Sequence, residues 1–357
     1  MTEHLYCITK KIGGFYVMYS KIRMILLGMI LTSILMMVVG CNANTETNKE
    51  TDINTQSDIT DDAKPDFIID ETDTHITLID GIDNEVTISK NLQRVIVLQN
   101  SILDLWYMVG GTAIARVSGD TNVPKEAEEI EIVGSLGSPN LETIIALQPD
   151  LIIMPSNMSA HIEMQDVFKQ NNIEHFYVDY SLYTDFIDYL DLFSRLNGTE
   201  GMFKTEIAQI QSNIQQSIAR VSEQEKAKVL IIFATSRSAR SQLLGGLVGD
   251  MINMLGAINI AEQTEIIGSD YVEFSMERVV ERDPDFILIT TMGDEQQAKE
   301  RVAQDIESNH AWAALRAVKE GNVHYLDKDL YLFKPNARYD EAIEKLAQLL
   351  YPEAFKN

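Results

Sequence analysis

The sequence predicts an α/β protein of two three-layer α/β/α lobes with mainly parallel sheets, joined by one long α-helix. Short buried apolar runs alternate with helical patterns along residues 94–196 and again along 229–350, the rhythm of parallel strands covered by helices on both faces. Between these halves, from Thr199 to Lys226, Phe203, Ile207, Ile210, Ile214, Ile218 and Val221 recur at steps of three and four. That is one apolar stripe on a helix roughly 40 Å long, more than one small domain needs. The same short signature stands on either side of it, ETIIALQPDLII at 142–153 and ERVVERDPDFIL at 277–288. In each copy a proline ends a helix and the aspartate after it caps the turn into a buried strand.

The elements follow in order. HITLIDGIDNEVTI (75–88) reads as a β-hairpin about Asp-Gly and Asp-Asn. A strand at 94–98 runs into a helix stopped by Gly110-Gly111, and 113–117 is a second strand. The loop 134–140 opens a helix at 141–147, and strand 151–154, helix 161–171, strand 176–178 and helix 184–196 follow. Asn197-Gly198 stops that last helix, and Thr199 is placed to cap the long one. The second half contains strand 229–233, a loop 234–238, helix 248–255, an extended piece 271–275, helix 276–282 and strand 286–289. Helix 294–306, strand 323–326 and a terminal helix 337–350 complete it.

The N-terminus has a different character. Lys21 and Arg23 precede an apolar run from Met24 to Val39 that ends in Gly40-Cys41, the build of a secretory signal, with Met18 a second possible start. The VVGC ending resembles a bacterial lipoprotein signal, which implies that Cys41 is lipidated and becomes the new N-terminus. The run falls short of the roughly 20 residues of a spanning helix, which weighs against an uncleaved anchor. Residues 42–65 are rich in Asn, Thr and Asp with almost nothing to bury, a disordered tether. The expected division is therefore a signal at 1–40, a tether at 41–65, a first lobe at 66–196, the linking helix at 197–226 and a second lobe at 227–357.

The formal net charge of -25 argues against a nucleic-acid partner, and losing residues 1–40 would leave about -28. An anionic ligand must then be met by a local basic group. Cys7 and Cys41 are the only cysteines, so there is no disulfide framework and no cysteine-based zinc or iron–sulfur site.

Taken together, ITLIDGIDNEVTI, RVIVL, GSLGSPNLETIIALQPDLIIM, QLLGGLVGDMINMLGAINIAE, FSMERVVERDPDFILIT and AWAALRAVKEGNVHYLDKDLYLFKPNAR resemble the helix-backbone class of ABC-importer solute-binding proteins, the class that handles ferric siderophores, haem and cobalamin. The resemblance covers about 75–352. It implies a monomeric receptor without a cofactor of its own, tethered by lipid to the outer face of the cytoplasmic membrane. Its cargo would be an iron complex held between the lobes, with little lobe closure, and its partner the permease dimer, met by one acidic residue per lobe. By motif position these are Glu142 and Glu277; each is also a glutamate at a helix start, favoured by the dipole alone.

Ligands of α/β sheets sit at the carboxyl ends of strands. The candidate contacts in the first lobe are Asn100, Ser101, Gly137, Ser138, Asn157, Met158, Tyr180 and Tyr183. In the second lobe they are Arg237, Tyr271, Met292, Tyr331 and Lys334. Aromatic rings suit a flat macrocycle or a catecholate, and cations suit carboxylates or an anionic iron complex; the bland alternative for each tyrosine is simple packing.

In overall pattern the resemblance runs to surface haem-binding lipoproteins of Gram-positive bacteria, which hold haem iron with a methionine and a histidine. Gly137 stands in place of that methionine and Met292 in place of that histidine, a departure that favours a ferric siderophore over haem or a corrinoid. Met158 and Met292 still offer soft thioethers. No histidine pair has metal-ligand spacing, and no nucleophile elbow, phosphate loop or histidine–carboxylate constellation supports an enzyme. A chelatase-like enzyme and a sensor that signals instead of delivering are the competing readings.

Overall fold

The computed structural model describes residues 64–261, 271–273 and 275–356. The expected signal, Cys41 and nearly all of the expected tether lie outside the described residues.

Three antiparallel strands come first: β1 (Ile68–Glu71), β2 (His75–Ile79) and β3 (Glu85–Ser89). The β2–β3 hairpin is closed by Asp80, whose carboxylate accepts the N–H groups of Ile82 and Asn84 at 3.1 and 2.9 Å. Ile76, Leu78 and Ile88 face the core, as the alternation requires.

The first lobe continues with β4 (Val95–Val97), α1 (Asn100–Met108), β5 (Ala115–Arg116), β6 (Glu131–Ile132), the small ribbon β7 (Gly134–Ser135) and β8 (Ser138–Pro139), and α2 (Leu141–Ala146). Then come β9 (Leu151–Pro155), α3 (Ser159–Ile162), α4 (Gln165–Gln170), β10 (Glu174–Val178) and α5 (Tyr183–Asn197). The sheet order is β10-β9-β4-β5-β6 and every pairing is parallel. Val95, Val97 and Ile153 pack with α1 and α5 on one face; Ile96, Ile152 and Met154 pack with Ile144 of α2 and Phe168 of α4 on the other. That is the three-layer arrangement.

α5 ends where expected, at Gly198 with φ 63. Thr199, however, does not cap the next helix: its N–H bonds Ser194 O and its hydroxyl donates to Val109 O at 2.7 Å. The long helix α6 therefore runs only from Lys204 to Val221, shorter at both ends than the expected 199–226. Its apolar stripe is as read, with Ile210, Ile214 and Val221 buried.

The second lobe comprises β11 (Lys228–Ala234), β12 (Ala239–Gln242), α7 (Leu247–Met254), β13 (Ile258–Asn259), β14 (Tyr271–Glu273) and α8 (Met276–Arg282). β15 (Phe286–Thr291), α9 (Glu295–Val302), α10 (Arg316–Glu320), β16 (Val323–Tyr325), α11 (Lys328–Tyr331) and α12 (Tyr339–Leu350) complete it. The order is β14-β12-β11-β15-β16 with β13 beside β11; β11, β13, β15 and β16 are parallel, β12 runs against them, and β14, antiparallel to β12, runs with them. The expected loop at 234–238 is thus the turn of a hairpin. Two expected helices are interrupted: 161–171 divides into α3 and α4, and 294–306 leaves α-geometry at Ala303 for a wide turn through Glu307. Among the described residues no helix is long and apolar enough to cross a membrane.

Candidate functional site

Because β4, β9 and β10 are parallel, their carboxyl ends lie on one edge, which collects Asn100, Ser156–Met158 and the segment 179–183. The ribbon β7–β8 is drawn to the same loops by His161, whose Nε2 sits 2.6 Å from Leu136 O. Gly137 lies at the ribbon's turn, and a Cβ built there meets no atom within 4 Å. Asn100 donates through Nδ2 to Gly119 O at 3.3 Å, while its buried Oδ1 makes no hydrogen bond.

In the second lobe the ends of β11, β15 and β16 are joined in the same way. Met292 N bonds Ala234 O, Arg301 reaches Ser236 O, and Lys328 Nζ donates to Gly293 O at 3.2 Å. Met292 is 47% exposed, free to meet a ligand. Arg237 is also exposed. Tyr271 packs on Phe233 with centroids 4.9 Å apart and the rings tilted by 41°, beside Gln242.

The two edges meet along residues 333–336. Asn122 donates to Phe333 O and to Lys334 O, the latter at 2.9 Å. Lys334 places its ammonium 4.8 Å from the Tyr180 ring centroid and 3.4 Å from Ser181 O, a cation–π contact across the lobes.

Not every residue singled out in the sequence is available to a ligand. Tyr180 is 7% exposed and gives its hydroxyl to Asn336; Tyr331 is buried and gives its hydroxyl to Ala342 O at 3.0 Å. Ser101 is buried too, its carbonyl taken by Asn336. For these two tyrosines packing is the role observed. Glu142 and Glu277 are exposed at equivalent places, the second residues of α2 and α8.

The sequence reading missed a basic and aromatic group beside Met292: Lys299 lies 5.0 Å from the Tyr325 ring centroid and pairs with Glu295 at 2.6 Å, with Lys328 3.9 Å from the same carboxylate. The (i, i+4) spacing of Glu295 and Lys299 was visible, but nothing in the sequence joined them to Tyr325.

The chemistry of the tyrosines is constrained by burial. Burial pushes the Tyr183 phenol up to about 12 and Tyr180 well above its ordinary value. Both stay protonated near neutral pH, so they can donate hydrogen bonds or stack but are poorly suited to bind bare ferric iron as phenolates. Among the described residues no group of three His, Cys, Asp or Glu side chains is placed to hold a metal ion. A cavity of about 330 Å³ is lined by Asp80, Asp83, Asp179, Asp185 and Asp188, with Phe67 and Tyr189. Burial and neighbouring carboxylates raise Asp188 to about 6.

Comparison with known proteins agrees with this architecture. The chain is 27% identical over 288 residues to YvrC, an uncharacterized ABC transporter substrate-binding lipoprotein of Bacillus subtilis strain 168, covering 79% of this chain and 87% of the relative. It is 25% identical over 256 residues to YfmC, an Fe(3+)-citrate-binding protein of the same strain, covering 70% and 78%. The fold matches that of Staphylococcus aureus IsdE complexed with heme, with a TM-score of 0.64 at 19% identity over 72% of this chain and 98% of that one. The model of the family described as periplasmic binding protein matches residues 95–330, most of the described body, and the chain belongs to that family.

Proposed function

We propose that the chain is an extracytoplasmic solute-binding lipoprotein that captures a chelated iron compound, a ferric siderophore first, and delivers it to an ABC permease. The observation that carries this reading is the facing pair of strand-end edges in a family member whose relatives include an Fe(3+)-citrate-binding protein. The ligand sits between the edges, with Asn100, Asn157, Tyr271, Arg237 and Lys334 as contacts. Cations at Arg237 and Lys334 offset the acidic surroundings for an anionic complex. Cys41 carries the lipid, and Glu142 and Glu277 dock on basic residues of the permease. The protein acts as a monomer and performs no chemistry on its cargo.

Haem is the second reading, favoured by the exposed thioether of Met292 at the end of β15. Titrating the purified full chain with haem, cobalamin and a panel of ferric siderophores, followed by intrinsic fluorescence and visible absorbance, separates these. A saturable response to a ferric siderophore supports the proposal. A Soret shift abolished by Met292→Ala selects haem. No response to any of them rejects chelated iron.

A further inference from the structure

The joint between the lobes is not one continuous helix. α6 lies along α12, with Asn213 donating to Asp340 at 2.6 Å, so it packs as part of the second lobe. Its connection to α5 is the turn 198–203, where Gly198 and Gly201 both take left-handed conformations, φ 63 and 82. Two left-handed glycines therefore break the helical path between α5 and α6.

The lobes are instead fastened by buried polar contacts made outside α6, by the segment before α12 and by α7. Asn336, fully buried in the segment between α11 and α12, accepts from the Tyr180 hydroxyl at 2.9 Å. Its amide donates to Ser101 O and to Asp104 Oδ2, both at 2.8 Å. All three partners of the Asn336 side chain come from the first lobe. In the reverse sense, Asp250 of α7 accepts the N–H of Tyr183, the first residue of α5, at 2.8 Å. A carboxylate from one lobe thereby caps a helix of the other. Around these bonds Tyr183 and Phe186 of α5 pack against Tyr339 of α12 with centroids 5.1 Å apart. Asn336 holds its place with φ 46, a left-handed backbone that an asparagine tolerates and most residues resist.

We infer that the angle between the lobes is set by this seam, Asn336 in its knot and Asp250 on the α5 N-terminus, and not by the linking helix. Removing one side chain on the seam should loosen the lobes more than softening the helix does. This goes beyond the cargo proposal and does not depend on it.

The test compares three variants of the full chain by amide hydrogen exchange and small-angle scattering. Asn336→Gly deletes the amide yet accepts the left-handed backbone without strain. Asp250→Asn leaves the seam's backbone untouched. The pair Ala208→Gly with Gln215→Gly softens α6 at two exposed positions. The expected result is exchange faster by about tenfold or more at 100–104 and 183–186 in Asn336→Gly, with a larger radius of gyration, while the helix pair speeds exchange within 204–221 alone. Should Asn336→Gly fail to fold, the same comparison is read on Asp250→Asn. Loosening at the seam from the helix pair, with neither seam variant having that effect, would overturn the inference.

Discussion

The carboxylate of Asp150 accepts the backbone N–H of Arg94 at 3.0 Å, at the entrance to β4 beside it, and that of Gln93 at 2.8 Å. Asp285 does the same in the second lobe, accepting from Lys228 at the entrance to β11 at 2.8 Å. Their own N–H groups bond Arg94 O and Lys228 O. Even the residues before the prolines agree, since Gln148 and Asp283 both have left-handed backbones, φ 47 and 42. The Pro-Asp signature thus ends a helix and ties the next strand to its parallel neighbour, once per lobe.

Asp150→Ala and Asp285→Ala should each cost about 1–2 kcal/mol, the range for hydrogen bonds to a charged acceptor at a partly exposed site. The two effects should add, because the sites belong to different sheets. Urea unfolding of both single variants and the double variant checks this.

Asp188 predicts a pH dependence of opposite sign to an ion-paired carboxylate. Its folded value of about 6 stands above the ordinary value of 3.8, so the native state holds the proton more tightly than the unfolded chain. The stabilisation this gives is complete below the unfolded value and is lost as pH rises through about 6. Asp188→Asn should therefore be more stable than the parent at pH 7.5, by about 1 kcal/mol after discounting for its half exposure, and equal to it near pH 4. Denaturant midpoints at the two pH values decide it.

Gly137 and Met292 give a constructive test of the ligand set. The turn at Gly137 has open space for a side chain and is not in the left-handed region, and Met292 already faces solvent. Gly137→Met with Met292→His restores the methionine and histidine of the haem-binding lipoproteins that the sequence resembles. The double variant should bind haem with a six-coordinate visible spectrum and tighter affinity than the parent, measured by absorbance titration. Unchanged haem binding would show that these two positions do not face each other across the cleft.

Much of the fold was legible in the sequence because it rests on repeated local signals. Apolar runs such as Val95–Val97 and Leu151–Pro155 are buried on both faces, and the α6 stripe is set by its spacing. What escaped was decided by contacts distant in sequence. β12 (Ala239–Gln242) has no apolar alternation and is a strand because β11 and β14 lie on either side of it. Thr199 reads as a helix cap, but the carbonyl of Val109 claims its hydroxyl. The candidate edges were legible from strand ends alone. The seam was not, since Asn336, Asp104 and Asp250 are single polar residues with no periodic mark, and it removes Tyr180 and Ser101 from ligand reach.

The central claim is capture and delivery, and uptake tests it most directly. Cells lacking the chain would be given a radiolabelled ferric siderophore, then complemented with the parent or with Glu142→Arg and Glu277→Arg together. Uptake should fall to background on deletion, return with the parent, and stay low with the double reversal although that protein still binds the siderophore in solution. Normal uptake in the deletion strain would contradict the account.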